Sequence, residues 1–420
     1  MTATASAAFV APVSVGERVE ELDVLRGVAL YGVFLMNMVV FGEAMATRQQ
    51  LLSLPGAALD HTLAEIATWL VADKANTLFA FLFGLGFYVQ MQRLQARGAD
   101  FERLYLRRLT FLLVIGLMHL NFIWTWDILH LYALCGFVLF AMRNVSNRTL
   151  LIGGVLLALF GRTAKEAVSE FAGLGDWHGW PNPYSDEVRL ARQQVMVDGD
   201  YPGLVRAFAE YTWVDYILSG IMVGWFLYAL GRFFLGAWVG RHGWLQNAAA
   251  HLPGFRRVLR VALPAGLIAA GIARIIDIYG RSERLPPWDH WGFVASSLHL
   301  VSVPVLATGY LCAIVVYLHT PLGAQLLAPF SYSGRMALTN YVSQSAVIAF
   351  VFFGLGPGLG LVGHIGTGAL IVIVTVTYAA QVAASRWWLA RFRFGPLEWL
   401  WRAYTYGRLP ELKIATLPSR

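Results

Sequence analysis

The feature that most limits this chain is a succession of long apolar runs. Phe111 to Met118 and Leu150 to Phe160 are two of them, each inside a longer stretch with almost no charge. About 18 or more such residues suffice for a helix to cross the hydrocarbon of a bilayer. Backbone polar groups have no water to bond there, so a helix that satisfies its own N–H and C=O groups is the conformation open to such stretches. The composition agrees: 57% of the 420 residues are hydrophobic and 14% charged, against roughly 25% charged in an ordinary soluble domain. Disorder is excluded, and a soluble globular enzyme is disfavoured. The fold class expected is all-α, a polytopic transmembrane helical bundle.

About ten spans can be drawn, at 24–45, 69–91, 106–125, 128–142, 149–168, 213–239, 259–278, 292–318, 334–353 and 367–388. The fifth reaches full length only if Arg162 and Lys165 snorkel to the interface. Orientation follows from where Lys and Arg fall. With a cytoplasmic N-terminus, inside segments hold 21 of the 32 basic residues, outside segments hold 8, and Lys74, Arg232 and Arg274 lie within spans. This predicts N-in and C-in. The chain then divides into an N-terminal tail (1–21), a first transmembrane half (22–168), an extracytoplasmic loop (169–212), a second transmembrane half (213–392) and a cytoplasmic interfacial tail (393–420).

The net charge of +7 sits in short loops rather than in a stripe interleaved with aromatics. It reads as a topology signal, and the partner expected is the lipid bilayer, not nucleic acid. Cys135 and Cys312 lie inside spans without metal-ligand spacing, so neither a disulfide nor a zinc site is expected. Met1 to Gly16 lacks a basic n-region and reads as a tail rather than a signal peptide. The 169–212 loop is acidic and holds Trp177, His178, Trp180, Pro181 and Pro183; loops this long are usually functional or disordered. From Arg386 to Tyr406, tryptophans alternate with arginines, the composition of an interfacial helix on an anionic leaflet. Gly220-x-x-x-Gly224 and Gly236-x-x-x-Gly240 read as close helix packing.

Ionisable side chains inside spans cost roughly 2.5–3.5 kcal/mol at mid-helix, so each needs a reason. Asp23 and Arg26 are i,i+3 neighbours that can pair. Arg26 and Asn37, eleven residues apart, share a helix face about 16 Å apart along the axis. They read either as a snorkelling helix start with one interhelical hydrogen bond or as the polar wall of a cavity. The hairpin Gly116 to Tyr132 places His119 about 10 Å below the outer boundary, followed by Asp127 and His130. A histidine oriented by a carboxylate can move protons near neutral pH, and a structural hydrogen-bonding role is equally open. A metal is not expected from two ligands in a hairpin. Asp73, Lys74 and Asn76 are placed near the outer end of the second span. Arg335, Asn340, Tyr341, Gln344 and Ser345 stripe the ninth, where interhelical hydrogen bonding is the default, and His299 in the eighth is similar. Arginines thus gather at the inner face, which suits a phosphate-bearing cytosolic ligand.

The strings LDVLRGVALYGVFLMN (22–37), LFAFLFGLGF (78–87), RRLTFLLVIGLMHLNFIWTWDILHLYALCGF (107–137), FSYSGRMALTNYVSQS (330–345) and FGPLEWLWRAYTYG (394–407) resemble the YeiB family of bacterial inner-membrane proteins, which carries a C-terminal domain of unknown function. That family is itself similar to transmembrane acyltransferases, including the acyltransferase-3 and heparan-glucosaminide acetyltransferase groups. This resemblance implies a bacterial cytoplasmic-membrane location and transfer of an acyl group from cytosolic acyl-CoA to an extracytoplasmic glycan or lipid. Acyltransferase-3 proteins place a histidine eleven residues after the arginine of the LDxLRG opening; here Arg26 matches and Asn37 stands at the histidine position. His119 would have to replace the missing base.

Two functional readings follow. In the first, acyl-CoA binds as a co-substrate with its phosphates at Arg26 and Arg335. His119, oriented by Asp127, acts as base or acyl carrier, and Lys74 or Asn37 polarises the carbonyl. His130 and Asn340 complete the substrate-binding set, and no tightly bound cofactor is needed. In the second, the same groups line a transport path for a small solute or envelope precursor, with His119 and Asp127 as a proton relay. No inverted repeat and no Gly/Pro-broken helix pair is visible in the sequence, which weighs against transport. Oligomeric state is not legible.

Overall fold

The computed structural model describes residues 18–171, 181–182, 185–281 and 288–414. The N-terminal stretch to Gly16, the side chains of Arg162 and Lys165, and Trp177, His178, Trp180, Pro183 and Arg284 lie outside the described residues. Among those described the chain is all-helical, with one isolated bridge between Phe392 and Lys413. Seven helical segments are long and apolar enough to cross a membrane: Glu20–Met45, Ala57–Ala96, Phe101–Phe122, Ile221–His242, Ala248–Ile278, Val294–Leu318 and Thr367–Leu389. Three shorter apolar helices, Leu129–Ala141, Asn147–Gly161 and Ala337–Phe352, fall on the three remaining segments drawn from sequence. The chain is a multi-pass membrane protein.

In chain order the helices are α1 (Glu20–Met45), α2 (Arg48–Ser53), α3 (Ala57–Leu70), α4 (Lys74–Ala96), α5 (Phe101–Phe122), α6 (Leu129–Ala141), α7 (Asn147–Phe171), α8 (Asp186–Val197) and α9 (Tyr201–Tyr211). A π-helical turn over Thr212–Leu218 leads into α10 (Ile221–His242). Then come α11 (Ala248–Arg281), α12 (Trp288–Leu318), α13 (Pro321–Arg335), α14 (Ala337–Phe352), α15 (Thr367–Leu389) and α16 (Pro396–Tyr406). Helix α1 is the central post, with sixteen of its residues buried. Helices α4, α13, α14 and α15 pack around it.

The second span differs from its sequence reading. It begins at Ala57 and is broken in the middle, over Val71–Asp73, where Asp73 adopts a left-handed conformation with φ of +62°. Gly32, halfway along α1, lies against Val71 and Ala75, so the break is level with the middle of α1. A break in lipid exposes carbonyls that must be bonded internally. Here Lys74 Nζ donates to the Thr68 carbonyl (3.3 Å) and Tyr310 donates to that of Leu70 (3.0 Å). Lys74 is 1% exposed, and its buried ammonium is explained by this capping.

A second break separates α13 from α14 at Met336. Asn340 Nδ2 donates to the Ser333 carbonyl at the end of α13 (3.2 Å) and to Ser385 (3.0 Å). The first amides of α14, on Leu338 and Thr339, donate to Glu398 of α16 at 2.7 and 3.1 Å. None of the spans drawn from sequence covers 321–333, where Pro321 and Pro329 interrupt the apolar pattern. Helices α3 and α4 are separated by a short break at Val71–Asp73 and helices α13 and α14 by one at Met336, neither at a Gly or Pro, the residues by which a broken pair would be read from sequence. The 169–212 segment also holds α8 and α9.

Helices α4 and α10 interlock through glycines. A Cβ on Gly84 would lie 2.0 Å from the Phe233 carbonyl oxygen, and one on Gly236 would lie 2.0 Å from that of Phe81. The small-residue reading of Gly236 and Gly240 thus has its physical reason in backbone approach. Gly236→Val is expected to destabilise the bundle by about 1–3 kcal/mol through overpacking, seen as a lower thermal midpoint in detergent. Gly254→Val, where a Cβ meets nothing within 4 Å, is expected to leave that midpoint nearly unchanged.

Candidate functional site

The turn between α5 and α6 brings three ionisable side chains together. Asp127 Oδ1 accepts from Nδ1 of His119 (2.9 Å), and Oδ2 accepts from Nδ1 of His130 (2.8 Å) and from its backbone amide (3.0 Å). The three residues are 1%, 5% and 3% exposed in chain order. Gly116 allows this: a Cβ there would meet the His130 amide nitrogen at 2.2 Å, so α5 and the start of α6 touch through backbone. An ionised carboxylate only accepts, so both Nδ1 atoms carry the protons and both Nε2 atoms hold lone pairs when the rings are neutral. His130 Nε2 accepts from Tyr216 (3.1 Å), a residue placed by the π-helical turn. His119 Nε2 is buried and has no hydrogen-bond partner among the described residues. Its lone pair is unengaged there.

The neighbouring shell is aromatic. Trp124 is fully buried with its ring 4.4 Å from Phe41. The Tyr341 ring lies 5.4 Å from the His119 ring, and its hydroxyl accepts from the Ile128 amide (3.3 Å). Trp126 donates to Tyr211 (2.5 Å), and Asp215 takes a two-pronged bond from Arg192 at 2.7 and 2.8 Å. These contacts tie α8, α9 and the π turn over the hairpin.

A cavity of about 280 Å³ runs from one end of the bundle toward this cluster. Its deep wall includes Phe79, Phe83, Leu112, Ile128, Leu129 and Tyr341, so it ends on residues that adjoin Asp127 in the chain or stack on His119. Its mouth is lined by Arg18, Arg26, Arg93, Arg97, Arg108, Arg335 and Arg402, seven guanidinium groups against the carboxylates of Asp23 and Glu398. Asp23 pairs with Arg26 at 3.1 Å, the partnership its spacing predicts. Burial pulls the Arg402 guanidinium below its ordinary pKa, and the nearby Arg18 charge adds to that. Helix α16 closes one side. Trp401 donates to the Arg108 carbonyl (2.9 Å) while the Arg108 guanidinium stacks 3.8 Å above the Trp401 ring. The stretch read as a surface helix is thus a wall of the cavity.

Of the eight residues singled out by sequence, five fall in two groups: Arg26 and Arg335 line the mouth of the cavity, and His119, Asp127 and His130 form the buried cluster beyond its deep wall. Lys74 caps α3, and Asn340 bridges α13 to α15. Asn37 is half-buried on α1, lines no part of the cavity and makes no hydrogen bond among the described residues. His299 pairs with Asp73 (3.3 Å) at the α3–α4 break. Sequence reasoning missed Arg18, Arg93, Arg97, Arg108 and Arg402, which served only as topology marks, and Glu398 and Tyr216. Among the described residues no group of His, Cys and acidic side chains could hold a metal ion.

Residues 239–408 match the family described as protein of unknown function (DUF418). The chain is 31% identical over 411 residues to the uncharacterized protein YxaH of Bacillus subtilis (strain 168), covering 94% of this chain and 96% of that one. The chain belongs to the YeiB family. Escherichia coli (strain K12) YeiB itself is 29% identical over 397 residues, with 93% and 96% covered. A 39.9 kDa protein encoded in the amylase 3' region of Bacillus acidopullulyticus is 26% identical over 398 residues, with 94% and 96% covered. The family match starts at the end of α10 and runs through α16, so within this YeiB-family chain it takes in Arg335, Tyr341, Glu398 and Arg402 but not His119 or Asp127.

Two expectations follow. Asp127→Asn supplies one acceptor where two imidazole N–H groups and an amide need two oxygens, so a buried donor is stranded at about 1–3 kcal/mol. Its thermal midpoint should fall, and nitrogen-15 spectra should show one imidazole switching tautomer. Desolvation of the half-buried Glu398 raises its carboxyl pKa despite the bonds from Thr339 and Leu338. An acid held above its unfolded value of about 4.3 favours the fold when protonated and loses that contribution as pH rises. The midpoint of the wild type relative to Glu398→Gln should therefore decline as the pH rises above about 4.3.

Proposed function

We propose that this chain is a bacterial inner-membrane acyltransferase, with both termini cytoplasmic, that takes an acyl group from cytosolic acyl-CoA and passes it to an extracytoplasmic glycan or lipid. The observation that carries this reading is the single cavity whose mouth holds seven arginines and whose apolar deep end adjoins a buried His–Asp–His cluster. Phosphates of the donor meet Arg26, Arg335 and Arg402, where planar guanidinium forks suit phosphate oxygens. The thioester arm follows the apolar wall of Phe79, Phe83 and Leu112. His119 Nε2 takes the proton of an acceptor hydroxyl or amine. The freed lone pair attacks the thioester carbonyl, the C–S bond breaks, and the CoA thiolate leaves and is reprotonated. Asp127 holds the tautomer that makes this possible, and His130 with Tyr216 holds Asp127.

Transport of a small solute or envelope precursor is the second reading, favoured by the two discontinuous helices, a construction that transporters use at mid-membrane sites. The two readings separate by product: acyl transfer adds a mass increment to an envelope component, and transport moves solute with no covalent change.

Calorimetry on the purified protein is expected to show acyl-CoA binding, weakened at least tenfold in the Arg335→Gln/Arg402→Gln double variant. Mass spectrometry of envelope glycans and lipids should show an acyl increment in a deletion strain rescued with wild type and its loss on rescue with His119→Ala. Absence of binding by both acetyl-CoA and longer acyl-CoAs would overturn the donor assignment. Equal rescue by His119→Ala would remove His119 from the chemistry.

A further inference from the structure

The two imidazoles of the buried cluster are nearly equivalent about Asp127. Each gives its Nδ1 proton to one carboxylate oxygen, at 2.9 Å for His119 and 2.8 Å for His130. Both are buried, and each holds a lone pair on Nε2 while its ring is neutral. They differ in what that lone pair meets. Nε2 of His119 has no hydrogen-bond partner among the described residues. Nε2 of His130 accepts from the Tyr216 hydroxyl at 3.1 Å, and the two rings stand edge to face with centroids 5.6 Å apart. A reacting group cannot reach a nitrogen that already faces a hydroxyl at hydrogen-bond distance.

Tyr216 is held by an unusual piece of backbone. It lies on the π-helical turn Thr212–Leu218, where the Ser219 amide bonds to the Val214 carbonyl five residues back at 3.2 Å. Such turns are rare and gather at functional sites. Adjacent residues on a helix point roughly 100° apart, so Asp215 meets α8 while Tyr216 meets α6. The buried Asp215 carboxylate takes both prongs of the Arg192 guanidinium, at 2.7 and 2.8 Å. The same guanidinium lies over the Tyr211 ring, 5.4 Å from its centroid, and Tyr211 accepts the indole proton of Trp126 from the α5–α6 hairpin itself. Arg192 therefore ties the turn that carries Tyr216 to the hairpin that carries the cluster. It belongs to α8, which is not among the helices long and apolar enough to cross a membrane.

We infer that Tyr216 selects which imidazole of the cluster is reactive: it occupies Nε2 of His130 and leaves Nε2 of His119 unengaged, and Arg192, acting through Asp215, is the positioning residue that keeps it there. His130 can take a proton at Nε2 only if the hydroxyl turns over or leaves. Its remaining duty is to hold the second oxygen of Asp127. This selection rests on the proposed function only in that His119 is the base there, since the geometry belongs to the protein without its donor.

The test is nitrogen-15 magnetic resonance of the full-length protein with labelled histidine and no acyl-CoA, so that failure of donor binding and failure of this selection are read separately. Loss of a signal in His119→Gln or His130→Gln assigns each Nε2. Wild type should show Nε2 of His130 at a hydrogen-bonded position and Nε2 of His119 at that of an unbonded lone pair. Tyr216→Phe removes one hydroxyl and should move the His130 signal alone, to the unbonded position. Arg192→Gln/Asp215→Asn strands no charge and should reproduce that shift with Tyr216 intact. A merely structural ion pair would lower the thermal midpoint and leave the signal where it was. Two Nε2 signals of the same kind in wild type, or an unmoved His130 signal in Tyr216→Phe, overturns the selection. An unmoved signal in Arg192→Gln/Asp215→Asn removes Arg192 from the positioning. Should that double variant lose its monodisperse peak in size-exclusion chromatography, Arg192→Lys decides: one ammonium in place of the two-pronged fork should place the His130 signal between the two positions, and a wild-type signal refutes the role of Arg192.

Discussion

In hydrocarbon, a backbone amide or carbonyl with no partner costs several kcal/mol. Much of this structure follows from how that constraint is met where the helical path is interrupted at two places. The α3–α4 break is sealed by Lys74 and Tyr310, and the α13–α14 break by Asn340 and Glu398. Each of these residues would be an expensive passenger in an unbroken apolar helix. Each becomes intelligible once it is seen as the partner of a backbone group that the break has exposed.

The interruptions also shape the interior. Ending α13 at Arg335 and starting α14 at Ala337 turns one guanidinium toward the mouth while Tyr341, one turn on, reaches the His119 ring. The two ends of the cavity are chemically opposite as a result. Cations gather at the mouth, and an imidazole with an unbonded lone pair lies beyond the aromatic wall. A thioester that must be kept from hydrolysis and a polyanionic carrier that must stay solvated would each find a suitable environment in this gradient.

Hydrophobic run length made the helical membrane class and ten apolar segments legible, because a span declares itself within its own residues. The Asp23–Arg26 pair was legible by helical spacing, and His119 with Asp127 by their closeness in a hairpin. Other features depend on neighbours that no local pattern names. Lys74 looked like a reactive group because the carbonyl of Thr68 that it caps belongs to a break unmarked by Gly or Pro. Asn340 looked like a ligand-binding residue because Ser385, its partner, is far off in sequence. Arg93, Arg97 and Arg108 read as loop charges that fix orientation, and their convergence with Arg402 required the tertiary fold. The helical face that unites Arg26 and Asn37 in projection says nothing of which neighbour each meets, and only Arg26 lines the cavity.

Helix α16 joins two duties in eleven residues. Trp401 and Arg402 form part of the wall around the mouth, while Glu398, on the same short rod, closes the first turn of α14. The rod therefore works as a bolt. Swinging it aside to widen the mouth withdraws Glu398 from Leu338 and Thr339 in the same stroke, leaving α14 to unwind from its start and Tyr341 to lose its footing beside His119. The wall of the mouth and the first turn of the helix that carries Tyr341 thus hang on one eleven-residue element, although no single side chain spans the gap between them.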